Sequence, residues 1–401
     1  MEKNGGAYCH GFLPSPVLGS PSIRFRLTLS PMRIVLATGI YPPQIGGPAT
    51  YVEKLAEQLV KHAKSVTVVT YDQGDRGQRT EDRGQDGTAW NIVYVSKKGG
   101  PLLRWMRYAK VLREVGKDAD IVYAFSSISC GVPLFLSHLK GPKRILRLGG
   151  DFRWERYTDG GGVSSLRDWY ASRTWFHGAM NGLLRTFDHL VFSTAFQQEL
   201  YERSYTRLPL HSVIENALPA GTPMPHEKHD VFRLLYLGRF VGFKNIPALL
   251  EAVRDMPSVR LTLAGDGPLS EALHYQIGDF PREARDRIAF HPPVHGVDKQ
   301  RLFADHDLLV LPSFTDISPN TALEARSVGL PVLLTEETGL STMLAEGAML
   351  RPLRTPQNIE RAIEAAIDTY PQLAARASAP LPVRTWETIC EEHLGLFRSL
   401  L

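Results

Sequence analysis

Short runs of Val, Ile and Leu recur along the chain, separated by longer stretches in which apolar residues return every three or four positions. The first run follows Met32 (Arg33–Thr38), and its series continues at Val66–Tyr71, Asn91–Val95, Ile121–Phe125, Lys143–Leu148 and His189–Ser193. A second series occupies Arg233–Leu237, Val259–Ala264, Ile288–Phe290, Asp307–Leu311 and Pro331–Leu334. Unbroken apolar runs mark strands covered on both faces, and their alternation with helices marks parallel sheets. Between the series, Asn216–Asp230 has three prolines and no apolar period, as a linker would. The pattern predicts two doubly wound α/β domains, over 32–218 and 219–383, ahead of a final helical segment over 384–401. Ligands of such sheets bind beyond the carboxyl ends of the strands, so a cleft between facing domains is the expected site.

Residues 1–31 fit neither series. They carry Pro, Gly and Ser without period and lack the apolar core of a secretory signal, so a disordered extension is expected there. A length of 401 residues agrees with two cores rather than one. With 22% charged and 43% hydrophobic residues the composition is that of a soluble globular protein. No run approaches the roughly 18 apolar residues of a membrane-spanning helix. Cys9, Cys130 and Cys390 are odd in number and far apart, giving neither a disulfide framework nor a metal-ligand spacing, which points to a reducing, cytoplasmic setting. The histidines show no HExxH grouping, so no protein-built metal site is expected. The net charge of +4 divides into +7 over 32–218 and −5 over 219–401. A basic half suits an anionic partner such as a membrane surface, a phosphorylated acceptor or nucleic acid; asymmetry without function is an equal reading.

Chemistry concentrates where runs end. After Asp307–Leu311 comes the loop Pro312–Ile317, then a helix expected to be capped by Ser318 with Pro319 at its first position. Asn320 and Thr321 would present the first free amides, and a helix N-terminus is a ready phosphate site. Asp316 and Glu324 flank it; beside a diphosphate they would rather accept hydrogen bonds from sugar or ribose hydroxyls. An ordinary capped helix with solvated acids explains the same residues. After Arg233–Leu237 the loop Gly238-Arg239 to Lys244 offers two cations to a diphosphate, or simply two surface bases. Gly265-Asp266-Gly267-Pro268 permits close backbone approach to a ligand, or forms a plain turn. Gly46-Gly47 leads into a helix over Ala49–Val60 but lacks the G-x-G-x-x-G spacing of a dinucleotide fold.

In order and spacing these motifs resemble the family 4 retaining glycosyltransferases, which have the two-lobed GT-B fold. The resemblance runs from Met32 to Leu401 through Gly46-Gly47, Asp188–Ser193, Asn216, Gly238-Arg239 with Lys244, Gly265-Asp266-Gly267-Pro268, Pro312-Ser313, the acid pair Asp316 and Glu324, and Trp386-Glu387. It implies that Arg239 and Lys244 hold the donor diphosphate without a metal, stabilising charge on the leaving group. It implies too that Asp316 contacts the donor sugar, Glu324 the ribose, and the Asn320 and Thr321 amides the phosphates, with Gly46 and Gly47 facing them. The last helix would cross back onto the first domain. The chain departs from the family pattern in three places. Asp316 replaces a glutamate, Gly149-Gly150-Asp151 stands where relatives have a histidine, leaving Asp151 as the polar candidate, and Phe290-His291-Pro292-Pro293 replaces a Phe-x-Gly turn.

Residues 97–117 place Leu102, Trp105, Tyr108, Ala109, Val111, Leu112 and Val115 on one side of a helix and Arg107, Lys110, Arg113 and Lys117 on the other. This suits either an anionic membrane surface or a helix covering its own sheet. Asp151–His177, rich in Trp, Tyr and Arg, reads as an acceptor-side insertion or as core. The expected activity is retaining transfer from a UDP- or GDP-sugar to a hydroxyl of a glycan or lipid-linked acceptor in cell-envelope polysaccharide or glycoconjugate synthesis, with no metal or other cofactor. A sugar-nucleotide epimerase, a non-catalytic nucleotide-sugar-binding scaffold, and a nucleic-acid binder are the alternatives; no recognition motif supports the last.

Overall fold

The computed structural model describes residues 31–44, 46–72, 79–83, 89–172, 175–223 and 226–401, without the side chains of 79–83 and Trp175. The extension expected ahead of Met32 lies outside the described residues, apart from Pro31, as do Ile45 of the glycine loop, Arg173, and Met224 and Pro225 of the linker.

The first sheet contains β1 (Arg33–Thr38), β2 (Ser65–Asp72), β3 (Arg79–Arg83), β4 (Ala89–Ser96), β5 (Ile121–Phe125), β6 (Lys143–Leu148), β7 (His189–Phe192) and β8 (His211–Val213). Its order is β3-β4-β2-β1-β5-β6-β7-β8, parallel throughout except for β3. The second sheet contains β9 (Phe232–Leu237), β10 (Val259–Ala264), β11 (Ile288–His291), β12 (Leu308–Leu311), β13 (Val332–Thr335) and β14 (Ala348–Arg351), all parallel, in the order β11-β10-β9-β12-β13-β14. The chain therefore reverses direction across each sheet between β1 and β5 and between β9 and β12. These are the switch points where such folds open a crevice. Two facing parallel-sheet domains of this kind make the GT-B fold.

Alternate residues of β1 serve opposite faces: Val35 and Ala37 join one apolar cluster, Ile34 and Leu36 another. The amino ends of three strands are pinned by one device. Asp120 accepts the amide of Arg33, Asp188 that of Arg144 and Asp307 that of Arg233, each at 2.7 Å. Each aspartate stands just before a strand and fixes its neighbour's start.

The helix Trp386–Leu400 returns to the first domain. Its Ile389, Cys390, Leu394 and Phe397 complete the cluster formed by β1, β5 and the helix Gly47–Leu59. The Tyr123 hydroxyl meets Nε2 of His393 at 3.1 Å, and Nδ1 of His393 lies 2.7 Å from the Ile389 carbonyl.

The helix Pro101–Gly116 covers the sheet with Tyr108, Ala109 and Leu112. The Tyr108 hydroxyl sits 2.6 Å from the Val69 carbonyl and 2.9 Å from that of Thr38. Only part of the expected apolar face is used. Leu102 is 63% exposed, together with Leu103 at 54% and Met106 at 57%, because the sheet contact begins at Tyr108.

Burial, with help from the Arg147 charge, pushes His393 down to about 3. An unfolded histidine titrates near 6.5 and binds its proton first, so this group's contribution to stability is complete above that pH and lost as pH falls toward about 3. Thermal melts from pH 7 to 4.5 should show a steeper loss for the wild type than for His393→Phe. Parallel curves would remove His393 from the acid sensitivity.

Candidate functional site

The loops after β9 and β12 sit side by side at the switch point. The Phe314 amide donates to the Phe243 carbonyl at 2.8 Å, and Lys244 Nζ lies 2.7 Å from Asp316 Oδ2. Ser313 adds a hydroxyl to the same oxygen at 3.3 Å. The Asp316 backbone is held by the Glu337 carbonyl and the Gly339 amide, each at 2.9 Å, so the carboxylate stands on a fixed base. Arg239 is exposed and forms no ion pair among the described residues; its carbonyl accepts from the buried Tyr236 hydroxyl at 2.8 Å.

The neighbouring glycines serve this loop. A β-carbon on Gly265 would lie 1.9 Å from the Gly238 carbonyl oxygen, and one on Gly267 would lie 2.4 Å from that of Phe240. Their observed neighbour is thus the Arg239 loop. Asp266 closes its own turn, accepting from the Gly267 amide at 2.7 Å and the Ser270 hydroxyl at 2.6 Å, and these bonds lower its pKa.

The helix expected from Pro319 spans Asn320–Ser327, and Ser318 does not cap it. Asn216, across the domain boundary, donates to the Ser318 hydroxyl at 2.9 Å and to the Asn320 side-chain oxygen at 3.1 Å, while accepting from Arg147 at 3.0 Å. The Asn320 amide is not free either, since it donates to the Ser318 carbonyl at 2.9 Å. Thr321 is the residue whose amide meets no acceptor among the described residues. Glu324 pairs with Lys299 of the helix Gly296–Ala304, at the wall of a cavity of about 800 Å³ between that helix and linker residues 219–222. On the other domain, Gly46 starts the helix Gly47–Leu59, and the space beside Gly47 is open.

The segment after β6 bridges the two domains. The helix Phe152–Asp159 lies on the Arg239–Lys244 loop: Asp159 accepts the Gly242 amide at 2.9 Å, and the Trp154 and Phe243 rings are 5.3 Å apart. Further along, the Leu166 amide donates to the Thr315 hydroxyl at 2.9 Å, and Asp168 pairs with Arg354 at 2.9 Å. Trp154 and Tyr170 are core residues here rather than exposed stacking surfaces.

Asp151, expected at the catalytic centre, is taken up by structure. One oxygen accepts the amides of Arg153 and Trp154 at 3.0 and 2.9 Å, and the other accepts the Tyr170 hydroxyl at 2.6 Å. It is the N-cap of its helix. The carboxyl left over is Glu155, which sequence reasoning did not single out. Burial pushes it up to about 7, and the Asp151 carboxylate adds to the rise; Arg239 and then Lys244 oppose it, while Asp159 reinforces it. The sequence signal was Gly150, where a β-carbon would lie 2.2 Å from the Glu155 Oε1.

Asp151→Ala should lose about 1 kcal/mol or more of stability in urea unfolding, as N-cap removal does. Asp151→Asn, which can still cap, should keep its turnover within a few fold; a loss of a hundredfold without unfolding would return Asp151 to the chemistry.

Residues 46–217 match the family model described as glycosyl transferase 4-like domain, and residues 231–369 the one described as glycosyl transferases group 1. An uncharacterized glycosyltransferase of Methanocaldococcus jannaschii is 23% identical, over 92% of this chain and 98% of its own. A D-inositol 3-phosphate glycosyltransferase of Paenarthrobacter aurescens is 30% identical over 29% of this chain, a match that spans only 30% of that relative's length. Among solved structures, sucrose-phosphate synthase from Thermosynechococcus elongatus aligns with a TM-score of 0.73 at 17% identity, covering 92% of this chain and 99% of that one. HepE of Anabaena, in complex with UDP and glucose, gives a TM-score of 0.65 at 17% identity, covering 92% and 100%. With both halves matched in order, the chain belongs to the group 1 glycosyltransferases of GT-B fold, with the family 4 type of N-terminal domain.

Proposed function

We propose that this glycosyltransferase moves a sugar from a UDP- or GDP-linked donor, with retention and without a metal, to a hydroxyl of a glycan or lipid-linked acceptor in cell-envelope polysaccharide or glycoconjugate synthesis. The observation that carries the reading is the pairing of Lys244 with Asp316 on the loops that also carry Arg239, which forms no ion pair among the described residues, ahead of the helix whose Thr321 amide meets no acceptor among them. A diphosphate entering there gains a planar guanidinium, an ammonium and a helix N-terminus. As Lys244 turns to the diphosphate, Asp316 is released to accept a hydroxyl of the transferred sugar. Glu324 would likewise exchange Lys299 for the ribose. The HepE structures hold UDP and glucose, which supports a nucleotide-linked donor. In the transfer step the bond from the anomeric carbon to the phosphate oxygen breaks with its electrons on oxygen. The acceptor oxygen bonds to the same face of that carbon, and its proton passes to the departing phosphate. Arg239 and Lys244 stabilise the charge developing there.

A cytoplasmic protein resting on the inner membrane face fits the helix Pro101–Gly116. The exposed Leu102, Leu103 and Met106 stand among Lys97, Lys98, Arg104, Lys110 and Lys117. Burial lowers the Lys97 pKa and the nearby Arg104 lowers it further, against Asp72, which raises it. Among the described residues no helix is long and apolar enough to cross a membrane.

Incubation with a panel of nucleotide sugars should give slow hydrolysis or transfer that resists chelator. Lys244→Ala should cut it by about 10²–10³, the effect of removing one preorganised charge stabiliser. Tight binding without turnover for every acceptor favours the scaffold reading, and absence of any UDP-, GDP- or ADP-sugar binding rejects the donor site. Retention is read from the anomeric configuration of the product by NMR.

In flotation with anionic liposomes, Leu103→Ser with Arg104→Glu and Lys110→Glu should abolish binding. Arg107 and Arg113 make poorer tests, because they hold the Ser96 and Ser137 carbonyls at 3.3 and 2.7 Å. Flotation equal to wild type would reject the membrane surface.

A further inference from the structure

Arg147, near the end of β6, is a cation with only 5% of its surface exposed, and it forms no ion pair among the described residues. Its guanidinium carbon lies 4.1 Å from the centre of the Tyr51 ring, which offers the charge a π face instead of a carboxylate. Nη2 donates to Asn216 Oδ1 at 3.0 Å, while Nη1 is buried without a hydrogen-bond partner among the described residues. The rings on which its charge acts supply no negative charge in return. Burial lifts Tyr51 to about 12, raises Tyr123 as well, and lowers His393 to about 3. A buried charge without a counter-charge is costly, and apolar residues of similar size usually serve a core at least as well. The fold alone does not ask for this cation.

What it does is give direction to a chain of hydrogen bonds that crosses the domain boundary. A guanidinium has donors and no acceptor, so the Asn216 amide must turn its oxygen to Arg147 and its nitrogen away. That nitrogen meets the second domain, 2.9 Å from the Ser318 hydroxyl and 3.1 Å from the Asn320 side-chain oxygen. The backbone on either side of Asn216 is anchored: the Ile214 amide donates to the Phe192 carbonyl at 3.0 Å and the Leu218 amide to that of Arg384 at 2.9 Å. The side-chain amide is the part left to turn, and Arg147 decides which way it faces. Each link passes the direction on. Ser318 Oγ accepts, so its own proton remains to be given. Asn320 accepts through its oxygen, so its side-chain nitrogen remains a donor. Neither proton finds an acceptor among the described residues, and both residues stand just ahead of Thr321, whose amide meets none either.

We propose that Arg147 is a positioning residue for the nucleotide-sugar donor: acting through Asn216, it presents the Ser318 hydroxyl and the Asn320 side-chain amide as hydrogen-bond donors to the diphosphate. The inference rests on the donor-site reading given above. Phosphate oxygens only accept, so a set of donors held in one sense suits them, and a turned Asn216 amide would undo that set. Its oxygen would then face Ser318 and draw the hydroxyl proton back. A cation buried in the first domain thereby governs anion recognition on the second.

The test measures nucleotide affinity and ligand-free unfolding together in the full chain, because a merely structural contact would move both. Asn216→Asp separates them. Its carboxylate gives Arg147 the counter-charge it lacks, so the melting temperature should hold or rise. The same carboxylate cannot donate, so Ser318 and Asn320 turn their own donors back to it. Calorimetric affinity for UDP or GDP should then fall by about tenfold to a hundredfold, as for losing one or two hydrogen bonds to a charged group. Arg147→Lys, also a donor that cannot accept, should keep most of the affinity; Arg147→Gln, which can present either end of its amide, should not. Ser318→Ala should weaken binding in the wild type and add nothing in Arg147→Gln, because the relay is already broken there. Additive losses in that pair overturn the proposal, as would a field effect of the charge alone. So does an Asn216→Asp protein that binds like the wild type, or one that loses stability and affinity together. Failure of the wild type to bind either nucleotide overturns the donor-site reading and this inference with it. Binding that Lys244→Ala weakens and Asn216→Asp leaves intact overturns this inference alone.

Discussion

Two opposite charges held 2.7 Å apart, Lys244 and Asp316, set the layout of the cleft. Both side chains are mostly shielded from water, where removing one partner typically costs about 3–5 kcal/mol because the other is left uncompensated. The two loops that carry them leave β9 and β12, the adjacent strands from which the chain runs in opposite directions across the second sheet. Gly265 and Gly267 allow the loop after β10 to pass beneath the Arg239 loop at backbone contact. A binding event that offers Lys244 a better anion therefore frees Asp316 without disturbing the framework that supports it.

The second domain's loops are also held from across the boundary. Thr315, Gly242 and Arg354 bond to Leu166, Asp159 and Asp168, while Phe314 and Ile317 pack into the first domain's apolar cluster. Asn216 joins Arg147 to the start of the Asn320–Ser327 helix. This side of the cleft is thus assembled by both domains. A change in domain angle would be felt at the Asn320–Ser327 helix through the side-chain hydrogen bonds of Asn216.

Much of the framework could be read from residue order. β5, β6 and β10 begin and end at the residues expected, because their apolar positions stop against polar and glycine neighbours. β8 and β14 escaped, being short, partly exposed edge strands without that contrast. Ser318 looked like a cap because local chemistry makes it one; a partner 102 positions away takes its hydroxyl instead. Asp151 and Glu155 are both acids, four residues apart on one helix end, and nothing local says which caps the helix amides. That distinction needs the Tyr170 hydroxyl and the opposing domain. Leu102 was assigned inward by helical period alone, but period does not tell where along its length a helix meets the sheet.

The return of the helix Trp386–Leu400 to the first domain has a consequence for biosynthesis. Val52 and Leu55 of the helix Gly47–Leu59 share an apolar cluster with Leu394 and Phe397, more than three hundred residues later in the chain. While the ribosome is still extending the second domain, the first already has its strands but lacks the cover for one face. That apolar surface stays open until the helix Trp386–Leu400 emerges, and transiently exposed apolar surface is prone to association during synthesis. The first domain therefore cannot be finished before the second has been made.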